Sequence, residues 1–82
     1  MNWEGKRVAH GLPVYLESDA GYRISYARHG EKLSYLAGFR EKEIVGAAWA
    51  PANDDQKKRE AIASLQGLCE EHQVKRLTPP SA

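Results

Sequence analysis

The sequence predicts an α+β fold, in which an antiparallel meander of three to four strands is followed by one C-terminal helix packed on one face. Two observations predict it. Residues 22–39 alternate apolar and polar side chains on both sides of His29-Gly30, as a β-hairpin does. Residues 53–73 carry apolar side chains at helical spacing behind a capping signal. A lone sheet needs such a cover to bury its apolar face.

The first predicted strand covers residues 12–17, and a turn follows at residues 18–21. Pro13 lacks an amide donor and suits the start of a strand or a sheet edge. Residues 1–11 are predicted to be irregular. Trp3 either folds back over the edge of the core or serves as an exposed anchor.

The central hairpin is predicted to turn in two residues at His29-Gly30, where glycine tolerates positive φ. This register pairs Tyr26 with Leu33, and it fixes which side chains lie under the helix. The predicted helix-side set is Tyr22, Ile24, Tyr26, Leu33 and Tyr35. The opposite face is mostly polar and includes Arg23, Ser25, Lys32, Ser34 and Leu36.

Residues 40–43 are all charged and predict a solvated turn before a fourth strand at residues 44–50. The alternative is a short helix over residues 41–50 that Pro51 stops. Gly46 and the β-branched pair Ile44-Val45 favour the strand.

The helix is predicted to begin after Asn53 as N-cap and to end near His72 or Gln73. Acidic residues at its start and basic residues after its end suit the helix dipole. Its predicted apolar stripe is Ala61, Ile62, Leu65, Leu68 and Cys69. Gly67 lies on the other side, so it is either a tolerated residue or a place where a partner's backbone approaches.

Size and charge limit the classes of function. The 82 residues predict one small domain over residues 1–76 and a disordered tail over residues 77–82. With 12 Lys plus Arg against 11 Asp plus Glu, bulk electrostatic capture of nucleic acid or membrane is not expected. A single cysteine, no signal-peptide pattern and no membrane-length apolar run predict a cytoplasmic protein without an internal disulfide.

No catalytic, cofactor-binding or metal-binding constellation stands out. Cys69 and His72 share a helix face, but a structural zinc site needs four ligands and cysteine in an apolar stripe is inert. A core this small also leaves little room for a substrate pocket. We therefore predict a non-enzymatic protein without cofactor or metal.

The predicted partner-binding residues lie on the face away from the helix. A four-residue turn at residues 40–43 directs Val45 and Trp49 to that face beside Leu36, with Arg23 farther across. Tryptophan and arginine near exposed aliphatic residues are typical of interface hot spots. A longer turn or a bulge would instead return Trp49 to the core.

The segment Leu68-Cys69-Glu70-Glu71-His72 ends a sheet-then-helix stretch over residues 22–72 that resembles small bacteriophage and prophage accessory proteins. The resemblance implies a stand-alone protein that binds a host protein, as anti-defence and host-takeover factors do. A competing resemblance is to sheet-type DNA-binding domains such as integrase arm-binding domains, whose polar sheet face enters the major groove. There the readers would be Arg23, Ser25, Lys32 and Ser34.

Self-association is a further possibility. An open meander has two edges, and the edge predicted at residues 44–50 has no charge to discourage pairing. Two copies joined there would form a homodimer with Trp49 near its twofold axis.

Overall fold

The computed structural model describes residues 1–7 and 14–77. One antiparallel sheet contains β1 (Trp3–Arg7), β2 (Val14–Ser18), β3 (Tyr22–His29), β4 (Leu33–Arg40) and β5 (Glu43–Pro51) in that order. The helix α1 (Asp55–Leu77) follows and packs on one side of the sheet. This arrangement confirms the predicted α+β meander with a C-terminal helix, with one strand more than expected.

The additional strand is β1, so the prediction of irregular structure is wrong over Trp3–Arg7. Its sequence WEGKR has only one large apolar residue, and β2 supplies a full antiparallel pairing that sequence periodicity does not reveal. Trp3 pairs with Ser18 and packs against the core. Of its two predicted roles, it therefore has the one at the edge of the core and is not an exposed anchor. The N-terminal edge of the sheet is therefore β1 instead of the strand predicted at residues 12–17, whose first two positions lie outside the described residues.

The predicted register of the central hairpin is wrong by three residues. Three residues, Gly30 to Lys32, connect β3 to β4, and Gly30 has a φ of 75°. Tyr26 therefore pairs with Leu36 instead of Leu33. Because side chains alternate along a strand, an odd shift exchanges the two faces of β4. Leu36 lies under the helix, and Tyr35 lies on the opposite side.

The observed register gives the helix room to approach. Gly38 pairs with Ile24, and a Cβ added at Gly38 would lie 3.3 Å from the sulfur of Cys69. The predicted register would have placed larger side chains at this point. Close approach of backbone and helix is a use for which glycine is suited.

The strand predicted at residues 44–50 is confirmed as β5, and the alternative of a short helix is wrong. Phe39 pairs with Ile44 as predicted, but a bulge follows and pairs Tyr35 with Trp49 instead of Ala48. The hairpin shift and the bulge are both odd shifts, so their effects on Trp49 cancel. Trp49 lies away from the helix and is 53% exposed.

The helix begins one residue later than predicted, and it is longer. Asp54 is the cap, since its carboxylate accepts a hydrogen bond of 3.0 Å from the amide of Lys57. The predicted N-cap, Asn53, is displaced by this acid, and α1 continues past Gln73 to Leu77. Within residues 1–7 and 14–77, no helix is long and apolar enough to span a bilayer.

The core lies between α1 and one face of the sheet. Its fully buried apolar side chains are Tyr22, Ile24, Leu36, Ala50, Leu65 and Cys69. Leu65 and Cys69 confirm the predicted helix stripe, and Ala61 and Ile62 pack beside them. Leu68, the fifth member, is 43% exposed at the side of the stripe. We call the sheet side under α1 the covered face.

Candidate binding surface

The other side of the sheet has no helix over it among the described residues, and we call it the open face. The strand registers place on it the side chains of Tyr15, Glu17, Arg23, Ser25, Tyr35, Ala37, Phe39, Ala47 and Trp49. Aromatic residues from β2, β4 and β5 thus share one surface. Of these aromatic residues, Trp49 is the most exposed, at 53%, and the others are partly buried.

Aromatic side chains form two groups on the open face. Tyr35 and Trp49 are directly paired across β4 and β5, with ring centroids 4.8 Å apart and planes tilted by 56°. This is a favourable offset geometry for an aromatic pair. Ala37, two residues from both Tyr35 and Phe39 on the same face, is only 2% exposed. The large side chains therefore shield the strand between them, while Trp49 stays half exposed.

The second group is centred on Arg23. Its guanidinium carbon lies 4.6 Å from the centre of the Tyr15 ring, and one nitrogen lies 3.5 Å from a carboxylate oxygen of Glu17. Stacking on an aromatic ring and pairing with a carboxylate hold the arginine in place. At the sheet edge, Lys6 makes a similar 3.2 Å ion pair with Glu4. The basic groups of the open face are thus balanced by neighbouring acids.

A groove of about 600 Å³ lies beside Arg23. Its walls are Tyr15, Glu17, Gly21, Arg23, Ser25, Phe39 and Glu41. It is open to solvent along the sheet, and it combines two aromatic walls with one base and two acids. Because the groove is open along the sheet, it does not enclose its contents as a deep small-molecule pocket does.

Two of the four predicted partner-binding residues lie on the open face. Arg23 and Trp49 are there, as predicted. The surface placement of Leu36 is wrong. The observed hairpin register places its side chain on the covered face, where it is 0% exposed. The surface placement of Val45 is also wrong, because Val45 is the extra residue of the β5 bulge and packs against the core cluster.

The residues predicted to read nucleic acid do not form one surface. Arg23 and Ser25 lie on the open face, and Lys32 lies in the exposed turn between β3 and β4. Ser34 lies on the covered face and is 6% exposed, so its predicted accessibility is wrong. The same odd register shift that buries Leu36 buries Ser34.

His72 connects the end of the helix to the sheet. Its Nδ1 lies 2.6 Å from the hydroxyl of Tyr22, and its Nε2 lies 3.2 Å from a carboxylate oxygen of Glu43. With a neutral imidazole, the tyrosine donates to Nδ1 and the Nε2–H donates to Glu43. Tyr22 is fully buried, so this chain of contacts positions the helix.

Cys69 does not share these contacts. It is fully buried against Gly38, and burial, with a smaller contribution from the Glu70 carboxylate, raises the pKa of its thiol. A thiol kept protonated and enclosed is a poor nucleophile and a poor metal ligand. Among the described residues, no three His, Cys, Asp or Glu side chains are grouped closely enough to hold a metal ion.

Three of the aromatic residues on the open face are not among the predicted site residues, namely Tyr15, Tyr35 and Phe39. The two-residue turn predicts Tyr35 on the helix side. A three-residue turn would have revealed the pattern, since it places Tyr35 and Phe39 on one face and Leu36 and Gly38 on the other.

Comparison with known proteins provides one short likeness. Over 45 residues, 55% of the chain, the sequence is 40% identical to a vitamin B12-binding protein of Pectobacterium carotovorum subsp. carotovorum. The same holds for the vitamin B12-binding protein of Pectobacterium atrosepticum. The matched stretch covers only 16% of the length of either relative. No protein-family model matches the chain, and no solved structure matches it.

Proposed function

We propose that this chain is a non-enzymatic protein-binding module whose contact surface is the open face. The observation that carries the proposal is the combination of a half-exposed Trp49 with Phe39, Tyr15 and Arg23 on a sheet face that α1 leaves uncovered. Aromatic residues and arginine supply most of the binding energy at protein interfaces. The paired charges at the rim would add specificity more than affinity.

The chemistry of the open face favours a protein partner. A partner segment that is apolar at its centre would cover Trp49 and Tyr35, and backbone or side-chain amides would meet the polar walls of the groove. That the partner is a host protein, and that the chain is of phage or prophage type, follows from the resemblance alone and stays a prediction. A cytoplasmic location, expected from the single cysteine and the N-terminal composition, also stays a prediction. From a stretch covering 16% of each relative we propose no binding of vitamin B12.

The second candidate function is binding of single-stranded nucleic acid on the same face. Aromatic side chains on adjacent strands can stack with bases, and this is the observation that favours it. The charge distribution weighs against it. Arg23 is held by Glu17, Lys6 by Glu4, and Ser34 is buried, so few donors are directed at phosphates.

A capture experiment separates the two candidates. Tagged wild-type protein, Phe39→Ala and Leu77→Ala are incubated with bacterial lysate, with and without nuclease. Leu77 is the control, because it is an exposed apolar residue, at 63% exposure, that lies on the helix and not on the open face. We expect a protein band that survives nuclease and 0.5 M salt, that Leu77→Ala retains and that Phe39→Ala loses.

Two outcomes contradict the protein-binding proposal. One is a captured set that Phe39→Ala leaves unchanged while circular dichroism shows both variants folded. The other is capture that nuclease abolishes, which would support the second candidate. Titration of labelled DNA and RNA at low salt then completes the test: no saturable binding at about 50 µM protein would remove nucleic acid as a ligand.

A further inference from the structure

The strand β5 forms one edge of the sheet, and no other described strand lies on its outer side. The amide of Ala52 donates a 2.8 Å hydrogen bond to the carbonyl of Lys32 on the β4 side. Backbone amides and carbonyls alternate in direction along a strand. Those of Ala50, Ala48 and Gly46 therefore also point toward β4. Ala47 and Trp49 therefore direct their amides and carbonyls away from β4, toward the edge.

The regular part of this edge is short, and it is symmetric. A bulge interrupts the pairing next to Gly46, and Pro51 has no amide to donate at the other end. Between these limits lie the five residues 46–50, centred on Ala48. None of them is charged, so within this segment no charged side chain discourages strand pairing, and the bulge and Pro51 limit the pairing to these five residues.

We propose that two copies of this chain pair through β5, antiparallel, about a twofold axis at Ala48. This register uses the whole regular segment and sets Ala47 of one copy opposite Trp49 of the other, in both directions. Their outward amides and carbonyls meet as hydrogen-bonded pairs. The two sheets join into one of ten strands, with both open faces on the same side.

The side chains around the edge suit a second copy. On the open face, the small Ala47 leaves room for the indole of the partner copy, whose Trp49 is half exposed in one chain. On the covered face, Leu68 lies directly over Gly46 beside the edge and is 43% exposed. Apolar groups thus flank the seam on both faces. The net charge of +1 gives two copies little reason to repel each other.

Sedimentation equilibrium from about 1 µM to 1 mM tests the association. We expect a monomer–dimer equilibrium for the wild type. Ala47→Pro should weaken it by about tenfold or more, because each dimer loses two backbone hydrogen bonds. The substitution removes no bond to β4, since the Ala47 amide points outward, and circular dichroism checks the fold. Ala47→Lys, which puts a charge in the seam, tests the same point if the proline variant does not fold.

Oxidative cross-linking tests the register. At a twofold axis on Ala48, the two Ala48 residues form a directly opposed pair with Cα atoms about 4.5 Å apart, within the range for a disulfide. Ala48→Cys should therefore give a covalent dimer. Gly67→Cys, on open space of the helix, is the control, and the native Cys69 is buried.

Three outcomes would overturn the proposal. The first is a monomer at all concentrations, and the second is a dimer that Ala47→Pro and Ala47→Lys both leave intact. The third is cross-linking of Ala48→Cys that is no greater than that of Gly67→Cys. It does not rest on the proposed function. Partner capture by a strictly monomeric chain would overturn the dimer alone, and a dimer without capture would overturn the binding module alone.

Discussion

The two faces of this sheet are built from the same strands but contain different kinds of side chain. The covered face has branched aliphatic residues, glycines that let α1 approach, and three aromatic residues packed in or against the core, namely Trp3, Tyr22 and Tyr26. Tyr22, Ile24 and Leu36 on this face are fully buried. The open face has aromatic residues interleaved with alanine, serine and paired charges, and it keeps Trp49 half exposed. The covered face is therefore suited to holding the fold, and the open face to contact with another molecule.

Neighbouring residues on β4 give the sharpest test of this difference. Leu36 and Tyr35 are adjacent in sequence and lie on opposite faces. Leu36→Ala removes a fully buried side chain, so the free energy of unfolding should fall by about 2–5 kcal/mol. Tyr35→Ala should reduce it by less than half as much. Urea denaturation followed by circular dichroism measures both. Equal losses would contradict the assignment of faces.

A smaller effect is expected where the covered face meets the end of the helix. Tyr22→Phe removes the hydroxyl that His72 Nδ1 contacts at 2.6 Å. The free energy of unfolding should fall by about 1 kcal/mol, because a hydrogen bond inside a packed core has a modest net value and His72 is near water. Tyr15→Phe, on the open face, is the matched control and should change it little. A Tyr22→Phe variant as stable as the control would mean that this contact does not anchor α1.

The smallest expected effect has the opposite sign. A Cβ added at Gly67 would meet nothing within 4 Å, so Gly67→Ala should stabilise the protein by about 0.8–1 kcal/mol through helix propensity. Thermal unfolding measures it, and partner capture should be unchanged. If capture were lost instead, a partner's backbone would approach the helix at Gly67, and the open face would not be the whole contact surface.

Much of the fold could be predicted from local signals. The order of strands and helix, the apolar stripe at Leu65 and Cys69 and the strand at β5 all follow from periodicity, capping and turn residues. β1 could not be predicted, because its pairing with β2 is decided by a neighbour and not by its own composition. The same limit applies to where α1 begins and ends.

Which side chains lie on the open face depends on the length of the turn between β3 and β4, and a difference of one residue decides it. His29-Gly30 signals a turn, but it does not say whether two or three residues form the loop, and only the latter puts Tyr35 and Phe39 on the open face. Packing decides the matter, because Gly38 must lie under Cys69. Trp49 was placed correctly only because the hairpin shift and the β5 bulge offset each other.

The most direct test of the central claim is the free energy of unfolding of Trp49→Ala, measured by urea denaturation beside its capture of a partner. If the open face binds and does not hold the fold, unfolding should change by less than about 1.5 kcal/mol, the value of one aromatic pair with Tyr35, while capture is lost. A loss of about 3–5 kcal/mol, as for a buried aromatic residue, would place Trp49 in the core and contradict the account.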